Sequence, residues 1–176
     1  MKPRTLLKKL TIVSAAALLI VLSGCSSTQN KSRGQKLDLT GAKTDVLYFG
    51  SAAELKVSDL TLDFFPDGNV LTDPKSESKQ FVRLSISLTN TGTQDFPLNF
   101  TSFFLKTSKE PKVTETFMIN DSNSADHLPT KTLAKGENVS GALYFEVDAA
   151  ETKDSLSLVY RGYDKDYVDY SVNLAQ

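Results

Sequence analysis

From Val46 onward, runs of period-two alternation of apolar residues recur along the chain, and there is no long stretch of 3.6-residue period. Val82, Leu84, Ile86 and Leu88 are the clearest case, separated by Arg83, Ser85, Ser87 and Thr89. Side chains alternate between the two faces of a strand, so the pattern assigns one apolar and one polar face. Leu55 and Val57 are followed by Leu60, Leu62 and Phe64 with the opposite parity. That slip near Ser58-Asp59 predicts a bulge or a break between two strands. Further strands are expected around Phe96–Phe100, Phe103–Leu105, Val113–Ile119, Val139–Val147, Leu156–Tyr160 and Val168–Leu174. Turns are marked by Pro66-Asp67-Gly68-Asn69, Asn90-Thr91-Gly92 and Gly136, and polar loops by Leu71–Lys79 and Asn120–His127. About seven or eight short strands at this spacing predict an all-β antiparallel sandwich with one wet face per sheet.

The N-terminus has a different character. Lys2, Arg4, Lys8 and Lys9 precede an apolar run from Leu10 to Leu22, too short to cross a bilayer and suited to a signal-peptide core. Leu22-Ser23-Gly24-Cys25 follows, and it resembles the lipobox of bacterial lipoprotein precursors. Cys25 is the sole cysteine, so no internal disulfide can form. The resemblance implies peptidase recognition through Leu22, Ser23 and Gly24, and lipidation of Cys25. Two acyl chains on that residue would give a stable membrane anchor. Ser26 to about Thr44 is polar and reads as a flexible tether. The expected organisation is a signal peptide at 1–24, lipidated Cys25 and linker at 25–44, and a β-domain at 45–176.

Within that domain, the order Phe81-Val82-x-Leu84-x-Ile86-x-Leu88-x-Asn90-x-Gly92 comes first. Leu133-x-x-Gly136 then leads into Gly141-x-Leu143-x-Phe145-Glu146-Val147. This arrangement resembles the immunoglobulin-like domain-of-unknown-function module of Gram-positive lipoproteins, over roughly residues 44–173. The resemblance implies an immunoglobulin-like sandwich on the extracytoplasmic face of the membrane, in a single-membrane bacterium. It transfers no catalytic residues.

A hydrophobic share of 40% and a charged share of 23% are those of a globular chain. Four of the 20 basic residues and none of the 21 acidic ones precede residue 25. The processed chain would therefore carry 16 basic against 21 acidic groups, a net charge of −5. Such a surface offers no attraction to phosphate backbones, so nucleic acid is not an expected partner.

Chemistry-bearing residues are sparse. The only histidine, His127, stands beside Asp126 and near Asp121, where the three could ligate a metal; a solvated loop is the ordinary account. Asp121, Asn123 and Asp126 partly mimic a calcium loop. It lacks the glycine at position six and has Thr132 where a carboxylate belongs. Asp164, Asp166 and Asp169 gather near a hairpin, as a cation site or simply a wet turn. No motif singles out a catalytic pair, a metal or a cofactor, and the expectation is a non-enzyme. Tyr163 and Tyr167 have no obvious burial and could form an aromatic platform, whereas Tyr160 and Tyr170 share the inward parity of their strands. The leading expectation is a membrane-anchored accessory domain recognising an envelope protein or polymer; the alternative is a lipoprotein that binds a small ligand or metal.

Overall fold

The computed structural model describes residues 34–64, 76–115 and 125–175. The Leu22–Cys25 segment, Asp121 and the Pro66–Asn69 turn lie outside the described residues.

Strand β1 (Gln35–Tyr48) turns directly into β2 (Ser51–Leu62), and β3 (Lys79–Asn90) follows. β4 (Phe96–Leu98), a 3₁₀ turn at Phe100–Ser102, β5 (Phe103–Lys106) and β6 (Val113–Thr114) come next. The chain closes with β7 (Lys131–Leu133), β8 (Asn138–Asp148), β9 (Ser157–Tyr163) and β10 (Tyr167–Asn173). Hydrogen bonding runs β6-β5-β9-β1-β2-β3-β8, with β10 also on β9 and β4 paired with β7. The link between β9 and β1 is a single parallel pair, Tyr163 with Tyr48. The strands thus form two antiparallel layers, β1-β2-β3-β8 and β6-β5-β9-β10, joined at one corner. No helix among the described residues is long and apolar enough to cross a membrane.

The alternating residues do what their period requires. Val82, Leu84, Ile86 and Leu88 are buried, and so are Leu143, Phe145 and Val147 of β8 and Leu158 and Tyr160 of β9. Together they form one core shared by both layers. The parity slip is a bulge: the β2–β3 register shifts between Val57 and Asp59 while β2 continues.

Three expectations need correcting. The folded domain begins well before residue 45, because β1 pairs with β2 from Gln35 onward. Leu39 and Ala42 of the supposed tether are buried. They were hidden by an irregularity between Asp38 and Ala42 that breaks the alternation, and by the polar outward face of a strand with only one long-range partner strand along most of its length. Second, β3 and β8 are only partly wet on their outer side. Phe81, Ala142 and Tyr144 form a second small core there, with Phe64 against it. Third, Phe96–Phe100 is a short strand ending in a 3₁₀ turn, where the Asn99 side chain accepts a hydrogen bond from the Thr101 amide.

Two buried amides tie the ends of the sandwich. Asn90 donates to the carbonyls of Gln94 and Leu133, at 2.9 and 2.8 Å, and accepts from the Gly92 amide at 2.9 Å. Gln80 accepts from the Asp63 amide at 3.0 Å and donates to the Glu151 carbonyl at 2.9 Å.

Candidate functional site

Two regions carry side chains that the packing of the core does not account for. One is the corner where the layers join. The β1–β2 connection is the two-residue turn Phe49-Gly50, with φ of 48° and 79°. Tight hairpins with both central residues at positive φ match strand twist, and they favour Asn-Gly or Asp-Gly because a Cβ is costly there. Here the first position holds phenylalanine, and 61% of it is exposed. Its ring stacks on Tyr163 with centroids 4.4 Å apart and meets Tyr48 edge-on at 4.8 Å. Tyr163 in turn meets Tyr167 edge-on at 5.2 Å, and Tyr167 is 70% exposed.

The corner is held by a close backbone approach. The Phe49 amide donates to the Tyr163 carbonyl at 2.6 Å. At Gly162 a Cβ would lie 2.1 Å from the Leu47 carbonyl oxygen, so only glycine lets β1 and β9 come this near. Arg161 pairs with both Asp169 oxygens, at 2.7 and 2.8 Å, and lies over the Phe104 ring. Asp169, one of the three hairpin carboxylates, is therefore an ion-pair partner.

Tyr163 and Tyr167 are thus brought together, and Phe49 completes the group. Sequence reasoning missed Phe49. The signal was there: an apolar residue before glycine, between two alternating runs, where a turn calls for asparagine or aspartate.

The second region covers β3 and β8. Segment 125–128 runs along the edge of β8, where the Leu128 amide donates to the Ala142 carbonyl at 3.0 Å. Gly141 makes room, since a Cβ there would lie 2.5 Å from the Leu128 Cα. Asp126 accepts from Arg83 at 2.7 Å and from the Tyr144 hydroxyl. Arg83 also donates to Ser85 at 2.7 Å, and Ser85 donates to Asp59 at 3.0 Å. Burial raises the Tyr144 phenol above its ordinary value, and its hydrogen bond to Asp126 acts the same way.

His127 is no solvated loop residue. Its side chain is 12% exposed, and Nε2 lies 2.9 Å from Glu115 Oε1, which also accepts from the Tyr144 amide at 3.1 Å. Burial pushes the Glu115 carboxyl up, more than the nearby His127 charge pulls it down. Asp126 and His127 consequently serve a strap across the sheet. No group of three or more His, Cys, Asp or Glu among the described residues is arranged to hold a metal. A shallow polar cavity of about 420 Å³ borders the strap, lined by Ser58, Arg83, Ser85, Asp126 and Ser140 among others.

The family described as "Domain of unknown function (DUF4352)" matches residues 51–168. The chain belongs to this family. No curated protein matches it. Among solved structures it is similar to the yjhA protein from Bacillus subtilis, with TM-score 0.58 and 18% identity, covering 78% of this chain and 99% of that one. It is also similar to a "putative lipoprotein (ycdA)" from Bacillus subtilis strain 168, with TM-score 0.56 and 18% identity. That likeness covers 77% of this chain but only 39% of the other, so this chain matches well under half of its length. At such identities the likenesses establish the fold alone. For this DUF4352 chain they agree with the two-layered all-β architecture.

Proposed function

We propose that this DUF4352 protein is a lipid-anchored, extracytoplasmic recognition domain without catalytic activity, and that its contact surface is the corner built by Phe49, Tyr163 and Tyr167. The anchor rests on the Leu22-Ser23-Gly24-Cys25 lipobox behind a basic and apolar leader. The lipoprotein name of one structural neighbour agrees with it. The single observation that carries the recognition reading is Phe49, a strained residue that spends its strain on an exposed ring. Backbone in sparsely populated regions persists where something outside local stability favours it. Aromatic side chains give large contact area at low entropic cost, which suits recognition. The non-catalytic reading rests on the sequence, with one histidine and one cysteine, the latter at the lipobox.

The experiment is in-cell crosslinking and recovery of the tagged protein, comparing wild type with Cys25→Ala and Phe49→Asn. An envelope component captured by wild type, weakened in the first variant and lost in the second, is the expected result. Equal capture by Phe49→Asn would remove the corner from the reading, and membrane sedimentation of Cys25→Ala would remove the anchor. A small-ligand reading has one observation in its favour, the polar cavity beside Arg83 and Asp126. Its mark would be a soluble ligand whose binding depends on Arg83.

A further inference from the structure

We infer that the occupant of the Phe49–Tyr163–Tyr167 corner is a neutral glycan chain, an inference that rests on the recognition reading above. Extent comes first. Phe49, Tyr167 and Val168 are the exposed large hydrophobics among the described residues. Together they present on the order of a few hundred Å², an ordinary surface patch. A stable protein interface needs roughly 800 Å² per partner. One or two sugar rings, by contrast, fit the face of a single aromatic side chain.

Charge points the same way. Arg161 is neutralised by Asp169, and Lys131 by Glu137 at 2.5 Å. The adjoining turn carries Asp164, Lys165 and Asp166, so the border is slightly acidic and would repel a polyanion. Next to the rings is a cleft of about 320 Å³ that shares Tyr48 with them. Asn99, Ser102, Thr130 and Thr132 line it, together with Leu98 and Lys131, whose charge is paired by Glu137. Hydroxyls and an amide can exchange hydrogen bonds with sugar hydroxyl and acetamido groups. An aromatic ledge beside a neutral hydrogen-bonding cleft presents both halves of what a sugar chain offers, an apolar C–H face and a polar edge.

The test uses the full processed lipoprotein in detergent. The sequence has no tryptophan and six tyrosines, so tyrosine emission is not masked, and Tyr163 and Tyr167 contribute to it beside Tyr48, Tyr144, Tyr160 and Tyr170. Titration with chitotetraose should change that emission saturably, and the protein should pellet with insoluble chitin. Phe49→Asn and Tyr167→Ala should each weaken both responses at least tenfold, whereas Lys56→Gln, an exposed change on β2 away from the corner, should leave them unchanged. No response of wild type to either glycan overturns the inference, as does undiminished binding by both corner variants. If glycans fail while crosslinking still captures an envelope protein through Phe49, the glycan assignment falls and the recognition reading stands. If neither depends on Phe49, both fall. Self-association abolished by Phe49→Asn, without a glycan response, would assign the rings to a second copy and likewise overturn the glycan inference.

Discussion

The Phe49 and Tyr163 rings lie 4.4 Å apart with 28° between their planes, at the pair of strands, β1 and β9, that links the two layers of the sandwich among the described residues. Tyr163 is placed by β9, whereas Phe49 is placed by a turn it is poorly suited to form. The stack therefore joins a residue held by regular structure to one held against its own backbone preference. Stability and recognition make opposite demands on position 49, and that conflict can be measured.

Phe49→Asn should stabilise the fold. A left-handed conformation costs a residue with an ordinary Cβ about 1–2 kcal/mol, and asparagine tolerates it better. The lost ring stacking is exposed and belongs at the low end of its range, about 0.5 kcal/mol. The expected net gain is about 0.5–1 kcal/mol, or roughly 2–4 °C in Tm. Thermal unfolding followed by circular dichroism checks it. A fall in Tm would mean that the ring is kept for packing, and the functional argument from strain would lose its basis.

Gly162→Ala should do the reverse. The added methyl meets the Leu47 carbonyl oxygen at 2.1 Å and the Tyr170 ring at 2.7 Å, and the first is backbone that cannot rotate away. Overpacking of this kind costs about 3 kcal/mol. Gly136→Ala is the useful comparison, because its φ of +76° is strained but its surroundings are open. Denaturant midpoints should rank wild type above Gly136→Ala and Gly136→Ala above Gly162→Ala. An unperturbed Gly162→Ala would show that β1 and β9 do not approach this closely.

Period-two alternation was enough to read the strands from Lys79 to Asn90 and from Asn138 to Asp148, because their buried partners face one shared core. It also located the bulge at Ser58-Asp59. It failed at β1, where the irregularity between Asp38 and Ala42 breaks the period and one face is solvated. It failed as well for Ala142 and Tyr144, which looked like outward residues of β8. Their burial comes from Phe81 and Phe64, and from Glu115 and segment 125–128, and no periodic signal in β8 shows that these meet its outer face. Tyr163 and Tyr167 were legible as a pair because both sit near a hairpin without burial. Phe49 was legible only as an unusual turn residue before glycine, since only the turn geometry brings it onto Tyr163.

Asn90→Ala should be among the most damaging single changes. It strips the donor from two carbonyls and the acceptor from the Gly92 amide at a site only 1% exposed. Leaving buried groups unpaired costs about 1–3 kcal/mol for each, so a loss of about 3 kcal/mol or more is expected. Asn90→Asp keeps the acceptor but turns a carboxylate toward the Gln94 and Leu133 carbonyls. It should be at least as unstable at neutral pH and recover in part on acidification, as the carboxyl gains a proton it can donate. Chemical denaturation at pH 7 and pH 4 separates these outcomes. An Asn90→Asp protein as stable as wild type at pH 7 would show that the knot is not closed as described.

Glu115 gives a pH dependence of definite sign. Burial raises its carboxyl above the ordinary value, with His127 pulling down less strongly. The unfolded chain therefore releases this proton at lower pH than the folded one does. Any group shifted upward in the folded state contributes its stability fully below the unfolded value and loses it as pH rises through the folded value. In wild type this contribution should be complete near pH 4 and decline above it. Glu115→Gln keeps an oxygen to accept from the Tyr144 amide and from His127, but has no proton to lose. The stability difference, Glu115→Gln minus wild type, should be small near pH 4 and grow in favour of the variant toward pH 8. Parallel urea titrations across that range check it, read beside Asp126→Asn, which alters the neighbouring Arg83 and Tyr144 contacts without touching Glu115 directly. A difference that runs the other way, with wild type gaining as pH rises, would mean that pairing with His127 outweighs burial at Glu115.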